Sequence, residues 1–72
     1  MNEYLNYLIN NDQNIKNIDV IFRKIKIKYT NEEMFNFISE YYVVVFGMDL
    51  YSSGIMAHGY LKDKGINLPF VV

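Results

Sequence analysis

The sequence predicts a small all-α protein: a bundle of about four helices with an extended apolar C-terminal tail. Three observations lead to this prediction. Apolar residues recur at helical spacing, a Thr-x-x-Glu helix start stands at residues 30–33, and Gly47 and Gly65 stand where helices are expected to end. The chain has 72 residues, of which 51% are hydrophobic and 21% charged, so it has globular composition and room for a single domain over residues 1–72.

The predicted helices cover about residues 2–10, 15–25, 31–46 and 50–64. In the first, Tyr4, Leu5, Leu8 and Ile9 fall at helical spacing, with asparagines at positions 2, 6 and 10, which is typical of a short amphipathic helix. Residues 10–14 are all Asn, Asp or Gln, and such side chains favour turns, so we expect a loop between the first two helices.

Residues 15–29 allow two interpretations. As a helix, the segment has apolar residues at spacings of three and four, namely Ile15, Ile18, Phe22, Ile25 and Tyr29. As a strand, its second half alternates lysine with β-branched residues, which leads to the alternative fold, α+β with a strand at about 18–29. The strand requires a bulge and the helix does not, so we predict a helix over 15–25 and an extended connector over 26–29.

The third helix has the clearest start signal, because Thr30 and Glu33 can cap each other's backbone amides. Apolar residues then cover most of the helix surface up to Phe46, which predicts a central position in the fold. Gly47 is placed to end this helix, and Asp49 to cap the fourth.

The fourth helix should end at Gly65, after a turn that contains two lysines. The tail that follows is apolar, and Pro69 biases Leu68 towards extended geometry. Five apolar side chains are unfavourable in water, so the tail packs either on its own core or in a groove of a neighbouring molecule.

Charge is unevenly distributed along a chain whose net charge is −1. Residues 16–28 carry five Lys or Arg against Asp19 alone, whereas residues 29–57 carry four acidic residues and no Lys or Arg. This asymmetry predicts an electric dipole, unless neighbouring elements neutralise each other.

Composition and hydropathy exclude several classes of protein. The chain has no cysteine, so it holds neither disulfides nor thiolate metal sites. The longest apolar run, residues 41–48, is far shorter than the roughly 20 residues of a membrane span. The first residues lack a basic region of the kind found in signal peptides, so we expect a cytoplasmic protein without membrane contact.

No catalytic, cofactor-binding or metal-binding residues are predicted. His58 is the only histidine, and Ser53 lies five positions away, which places the two side chains on different sides of a helix. The four glycines match no phosphate-binding pattern. We therefore predict a non-enzymatic protein without a cofactor.

Seven tyrosines are more than a small core can hide, and tyrosine is favoured at protein interfaces. The interface candidates are Tyr41, Tyr42, Tyr51, Gly54, Ala57, Tyr60, Leu68 and Phe70. A small chain without disulfides or metal gains stability by association, so the leading hypothesis is a homodimeric protein–protein interaction module that binds and blocks a larger protein.

The nine asparagines, with abundant Ile, Lys and Tyr, indicate an A+T-rich genome. By analogy, this suits a phage or mobile-element inhibitor of a host or defence protein. The alternative hypothesis is a nucleic-acid-associated regulator that uses the basic segment 23–28, with Arg23, Lys24, Lys26 and Lys28 contacting phosphates.

Overall fold

The computed structural model describes residues 2–71. Over this range the chain forms four α-helices and no strand: α1 (Glu3–Asn11), α2 (Ile18–Ile25), α3 (Asn31–Phe46) and α4 (Leu50–Asp63). The all-α prediction is confirmed, and the alternative with a strand at about 18–29 is wrong. The radius of gyration, 11.3 Å, is close to the roughly 11 Å of a compact domain of this length.

Helix α2 begins three residues later than predicted, because Asn17 caps it. The Asn17 side chain accepts hydrogen bonds from the amides of Asp19 and Val20, at 3.1 and 3.4 Å. Residues 13–16 form turns instead of helix, and the Asn17 amide donates to the Asn14 carbonyl. An asparagine that satisfies two free amides at a helix start favours this later beginning.

The extended connector predicted for residues 26–29 is also wrong. The amides of Lys28 and Tyr29 both donate to the Ile25 carbonyl at 3.0 Å, so the chain continues as a turn from the end of α2. This turn satisfies a carbonyl at the helix end that would otherwise lack a partner. An extended segment here would have no neighbouring strand in residues 2–71 with which to pair.

Helix α3 matches its predicted bounds, and its caps explain both ends. The Thr30 side chain accepts from the Glu33 amide at 3.2 Å, and the Glu33 carboxylate accepts from the Thr30 amide at 2.9 Å. At the other end Gly47 has φ +70°, a left-handed conformation that glycine adopts without strain. The Met48 amide then donates back to the Tyr42 carbonyl.

A three-residue connection, 47–49, folds α4 back along α3, and these two helices form the most extensive contact in the fold. Asp49 caps α4 as predicted, accepting from the Ser52 amide at 2.7 Å. The helix ends at Asp63, two residues before a second left-handed glycine, Gly65. None of the helices formed by residues 2–71 is long and apolar enough to cross a membrane.

All four helices contribute to one core. Its fully buried side chains are Leu5 and Leu8 of α1, Ile21 and Ile25 of α2, Phe37, Ile38 and Tyr41 of α3, and Ala57 and Leu61 of α4. The Tyr41 hydroxyl reaches out of this core and donates to the Ile15 carbonyl at 2.6 Å. This bond fixes the loop before α2 to the central helix.

The C-terminal tail packs on its own chain. Ile66 and Leu68 lie against the core, and the Ile66 amide donates to the Leu61 carbonyl at 2.9 Å. The Phe70 ring meets the Phe35 ring edge-on, with 4.9 Å between ring centres. Of the two options left open by the sequence, the structure shows the intramolecular one.

Candidate interaction surface

Helix α4 packs on the core along one buried stripe and also carries exposed apolar side chains. Ser53, Ala57 and Leu61 recur every four residues and are buried. Leu50 and Tyr51 are 82% and 77% exposed, and Ile55 and Met56 are 44% and 45% exposed. We call these four exposed residues the α4 surface. Large apolar side chains grouped on one exposed helix are typical of an interaction site.

Capping holds the first residues of the α4 surface in place. The Asp49 carboxylate accepts from the amide of Ser52 and, at 3.2 Å, from its hydroxyl, and these bonds lower the pKa of Asp49. Gly47 ends α3 two residues before this cap. Leu50 and Tyr51 therefore project from a fixed first turn, so binding through them orders little backbone.

A cleft of about 400 Å³ runs along one edge of α4. We call it the α4 groove, and its lining residues are Tyr42, Ile55, Met56, Gly59, Tyr60 and Asp63. Gly59 leaves room there, since a Cβ atom built on it meets nothing within 4 Å beyond its adjacent residues and the backbone of its own helix. Ile55 and Met56 belong to both the groove and the α4 surface, so the two are continuous.

The basic segment predicted to contact phosphates does not form one surface. Lys24 makes an ion pair and a hydrogen bond with Asp12, an interaction that lowers the pKa of that carboxyl group. The Lys28 ammonium lies 3.8 Å from the centre of the Tyr4 ring. Lys24 and Lys28 are thus engaged by α1 and the loop after it.

Lys26 lies on the side of α2 that meets the end of α4, where Lys64 joins it. The ammonium groups of Lys26 and Lys64 lie 5.9 and 6.0 Å from the centre of the Phe22 ring. Arg23 is exposed on α2. We call Lys26 and Lys64 the α2–α4 basic cluster.

Asp19, on α2, contacts residues at the end of α4 beside this cluster. Its carboxylate accepts from the Tyr60 hydroxyl at 2.5 Å and lies 3.2 Å from the Lys64 ammonium. The bond from Tyr60, followed by that from Lys64, lowers the pKa of Asp19, while burial and the same bond raise the pKa of Tyr60. Nothing local in the sequence indicates that Lys64 would join residues of α2.

The interface candidates from the sequence are divided by the fold. Tyr41 and Ala57 are fully buried, so neither offers a surface to a partner, and both leave the candidate set. Gly54, Tyr60, Leu68 and Phe70 are partly buried, Tyr42 is nearly buried, and Tyr51 alone is highly exposed.

Leu50, Ile55 and Met56 are exposed residues that the sequence analysis did not select. Two of them could have been found from the four-residue repeat of Ser53, Ala57 and Leu61. This repeat marks the buried side of α4, and Ile55 and Met56 lie away from it.

His58 is half-buried and lines a small cleft beside the C-terminal tail, together with Lys62. Within residues 2–71, no group of three or more His, Asp or Glu side chains is arranged to hold a metal ion. No protein-family model, curated protein or solved structure matches this chain.

Proposed function

We propose that this chain is a non-enzymatic, homodimeric interaction module that binds and blocks a larger protein through the α4 surface. One observation carries the proposal: α4 packs on the core through a buried stripe and leaves Leu50, Tyr51, Ile55 and Met56 exposed. A helix that is apolar on more than its core-facing side lowers its free energy when a partner covers the rest.

The α4 surface has the character of a binding hot spot. Tyrosine is enriched among residues that dominate binding energy, and burying one large apolar side chain contributes about 1.5–3 kcal/mol. Tyr51 and Leu50 are the two most exposed members of the surface, so they have the most area to bury. Their position in a capped first turn supports tight binding from a small contact.

The homodimer is the second part of the proposal. It is supported by the short chain and the absence of cysteine, which leave association as a source of stability. Light scattering on the purified protein at micromolar concentration is expected to give twice the chain mass of 8.6 kDa. A monomeric mass would contradict the homodimer. It would not test whether the α4 surface binds a larger protein.

Affinity capture from the native host tests the binding surface. Tagged wild-type protein should recover a larger protein, and the variant Leu50→Ser/Tyr51→Ser should lose it, because the exposed apolar area is removed. Tyr7→Ser is the matched control, since Tyr7 is an exposed tyrosine on α1, 59% accessible. Equal recovery by both variants, or loss with Tyr7→Ser alone, would contradict the proposal.

The inhibitory role, with a phage or mobile element as the source, is supported by chain size and composition. A reduced activity of the captured protein when this chain is added would support blocking, and unchanged activity would contradict it. The nucleic-acid alternative has less support, because Lys24 and Lys28 are engaged within the chain.

A further inference from the structure

We propose that a cleft between the end of α4 and the C-terminal tail binds a carboxylate that carries a small apolar group. We call it the tail cleft, and its volume is about 210 Å³. No member of the α4 surface lines it, so this proposal is independent of the proposed function. The lining includes three polar and three apolar side chains, namely His58, Lys62 and Asn67, and Ile66, Leu68 and Phe70.

Local geometry brings the three polar side chains to one place. His58 and Lys62 are four residues apart, so they lie on the same side of α4. The chain then reverses at Gly65, whose φ is +80°, and the Ile66 amide donates back to a carbonyl of α4 at 2.9 Å. This bond holds the tail against the helix end, and Asn67 lines the cleft opposite the last turn of α4.

The three polar side chains keep their hydrogen-bonding capacity for a ligand. Within residues 2–71, none of these side chains forms a hydrogen bond, an ion pair or a ring contact. The Lys62 ammonium and the Asn67 amide offer N–H donors, and the imidazole of His58 offers a further one. No Asp or Glu of this range lines the cleft. A carboxylate is the acceptor that such a set of donors fits.

The end of α4 offers little opposition to an anion. Unpaired carbonyls at a helix C-terminus repel negative charge. Here the carbonyls of Tyr60, Leu61 and Lys62 all accept hydrogen bonds from the amides of residues 64–66. Lys62 also places a positive charge in this last turn. The charge at the tail cleft therefore favours a negatively charged ligand.

The apolar side of the tail cleft is in place before a ligand binds. Ile66 and Leu68 pack against the core, and the Phe70 ring meets the Phe35 ring edge-on, with 4.9 Å between centres. At ~30 Å³ for each water-sized group, about 210 Å³ holds roughly seven groups, which fits a carboxylate with about five further carbon atoms. A free short-chain acid has this chemistry, and so does the apolar C-terminal residue of another protein chain.

Amide NMR titration measures binding residue by residue. The probe is sodium hexanoate, with acetate, which lacks the apolar chain, and 1-hexanol, which lacks the carboxylate, as matched controls. We expect saturable shifts around residues 58–70 with hexanoate, and affinity at least roughly tenfold weaker for each control, since each lacks one of the two contacts. Absence of saturable hexanoate shifts up to roughly 50 mM, or equal binding of a control, would overturn the proposal.

Polar variants locate the site. Lys62→Gln/Asn67→Ala should weaken hexanoate binding at least roughly fivefold, because two donors are lost. Lys16→Gln, at an exposed lysine before α2, is the matched control and should stay within about twofold. Lys62 and Asn67 are exposed, so the thermal midpoint of unfolding should not change. Equal hexanoate binding by the double variant and the control would overturn the assignment to the tail cleft.

A pair of peptides distinguishes the two sources of the ligand. Both consist of three glycines followed by leucine, and one ends in a free carboxylate whereas the other is amidated. Binding of the acid form, lost on amidation, would identify the C-terminus of a protein chain as the ligand. Hexanoate binding without peptide binding would identify a free acid. These assays leave Leu50 and Tyr51 unchanged, so their failure is distinct from failure of the capture experiment.

Discussion

Tyr41 shows how a single polar atom in the core contributes to the fold. Its ring is fully buried, and its hydroxyl donates to the Ile15 carbonyl at 2.6 Å. Tyr41→Phe keeps the ring but leaves that carbonyl without its partner, so we expect a loss of about 1–2 kcal/mol in the free energy of unfolding. Urea denaturation measures this, with Tyr7→Phe, at an exposed tyrosine, as the control expected to change little.

The same residue predicts how stability depends on alkaline pH. Burial raises the pKa of Tyr41 from 10.0 to about 12, since the ionised form is disfavoured inside the fold. Its contribution is therefore fully present below pH 10 and is lost as pH rises towards 12. Wild-type stability should fall over this range, and Tyr41→Phe should fall less. Parallel decline of the two proteins would contradict this role of Tyr41.

Two glycines with different backbone geometry make a matched pair. Gly59→Ala should raise stability by roughly 0.5–1 kcal/mol, because it is helical and its Cβ meets open space. Gly47→Ala should lower stability by about 1–2 kcal/mol, because φ there is +70°. Thermal unfolding of the two variants measures both signs. Destabilisation by Gly59→Ala would show that the fold needs this glycine.

At the scale of elements, the capping of α3 is the best-defined local interaction. Thr30→Ala removes one of its two reciprocal hydrogen bonds, and we expect a loss of about 1 kcal/mol in the free energy of unfolding. Asn31→Ala is the neighbouring control, at an exposed first helical position. Chemical denaturation of both variants would show whether the effect belongs to the cap; similar losses would assign it to the helix as a whole.

Elements with their own start and stop signals were predictable from sequence. Helices α3 and α4 follow from the Thr30 and Asp49 caps and from glycines that adopt left-handed geometry. Residues 26–29 were not predictable in this way, because alternating lysine and isoleucine is typical of a strand. In the structure the Ile25 carbonyl instead accepts hydrogen bonds from two amides of this segment. At these residues, hydrogen bonding at the end of α2 outweighs the strand propensity of the local sequence.

At the scale of the whole molecule, the candidate site depends on contacts between distant residues. The fold pairs Lys24 with Asp12 and brings Lys64 to Phe22, which divides the basic segment between two sides of α2. No pattern of neighbouring residues carries that information. Tyr51 and Tyr41 were both selected as interface candidates because they are tyrosines, but Tyr51 is exposed and Tyr41 is buried. Tertiary packing alone separates these two tyrosines.

Site-specific photo-crosslinking in the native host tests the α4 surface most directly. A photoreactive phenylalanine analogue replaces Tyr51 in one protein and Tyr7 in another, so that two exposed tyrosine positions carry the same reactive group. The account predicts a covalent adduct with a larger protein from position 51 and none from position 7. An adduct from position 7 alone, or no adduct from position 51, would contradict it.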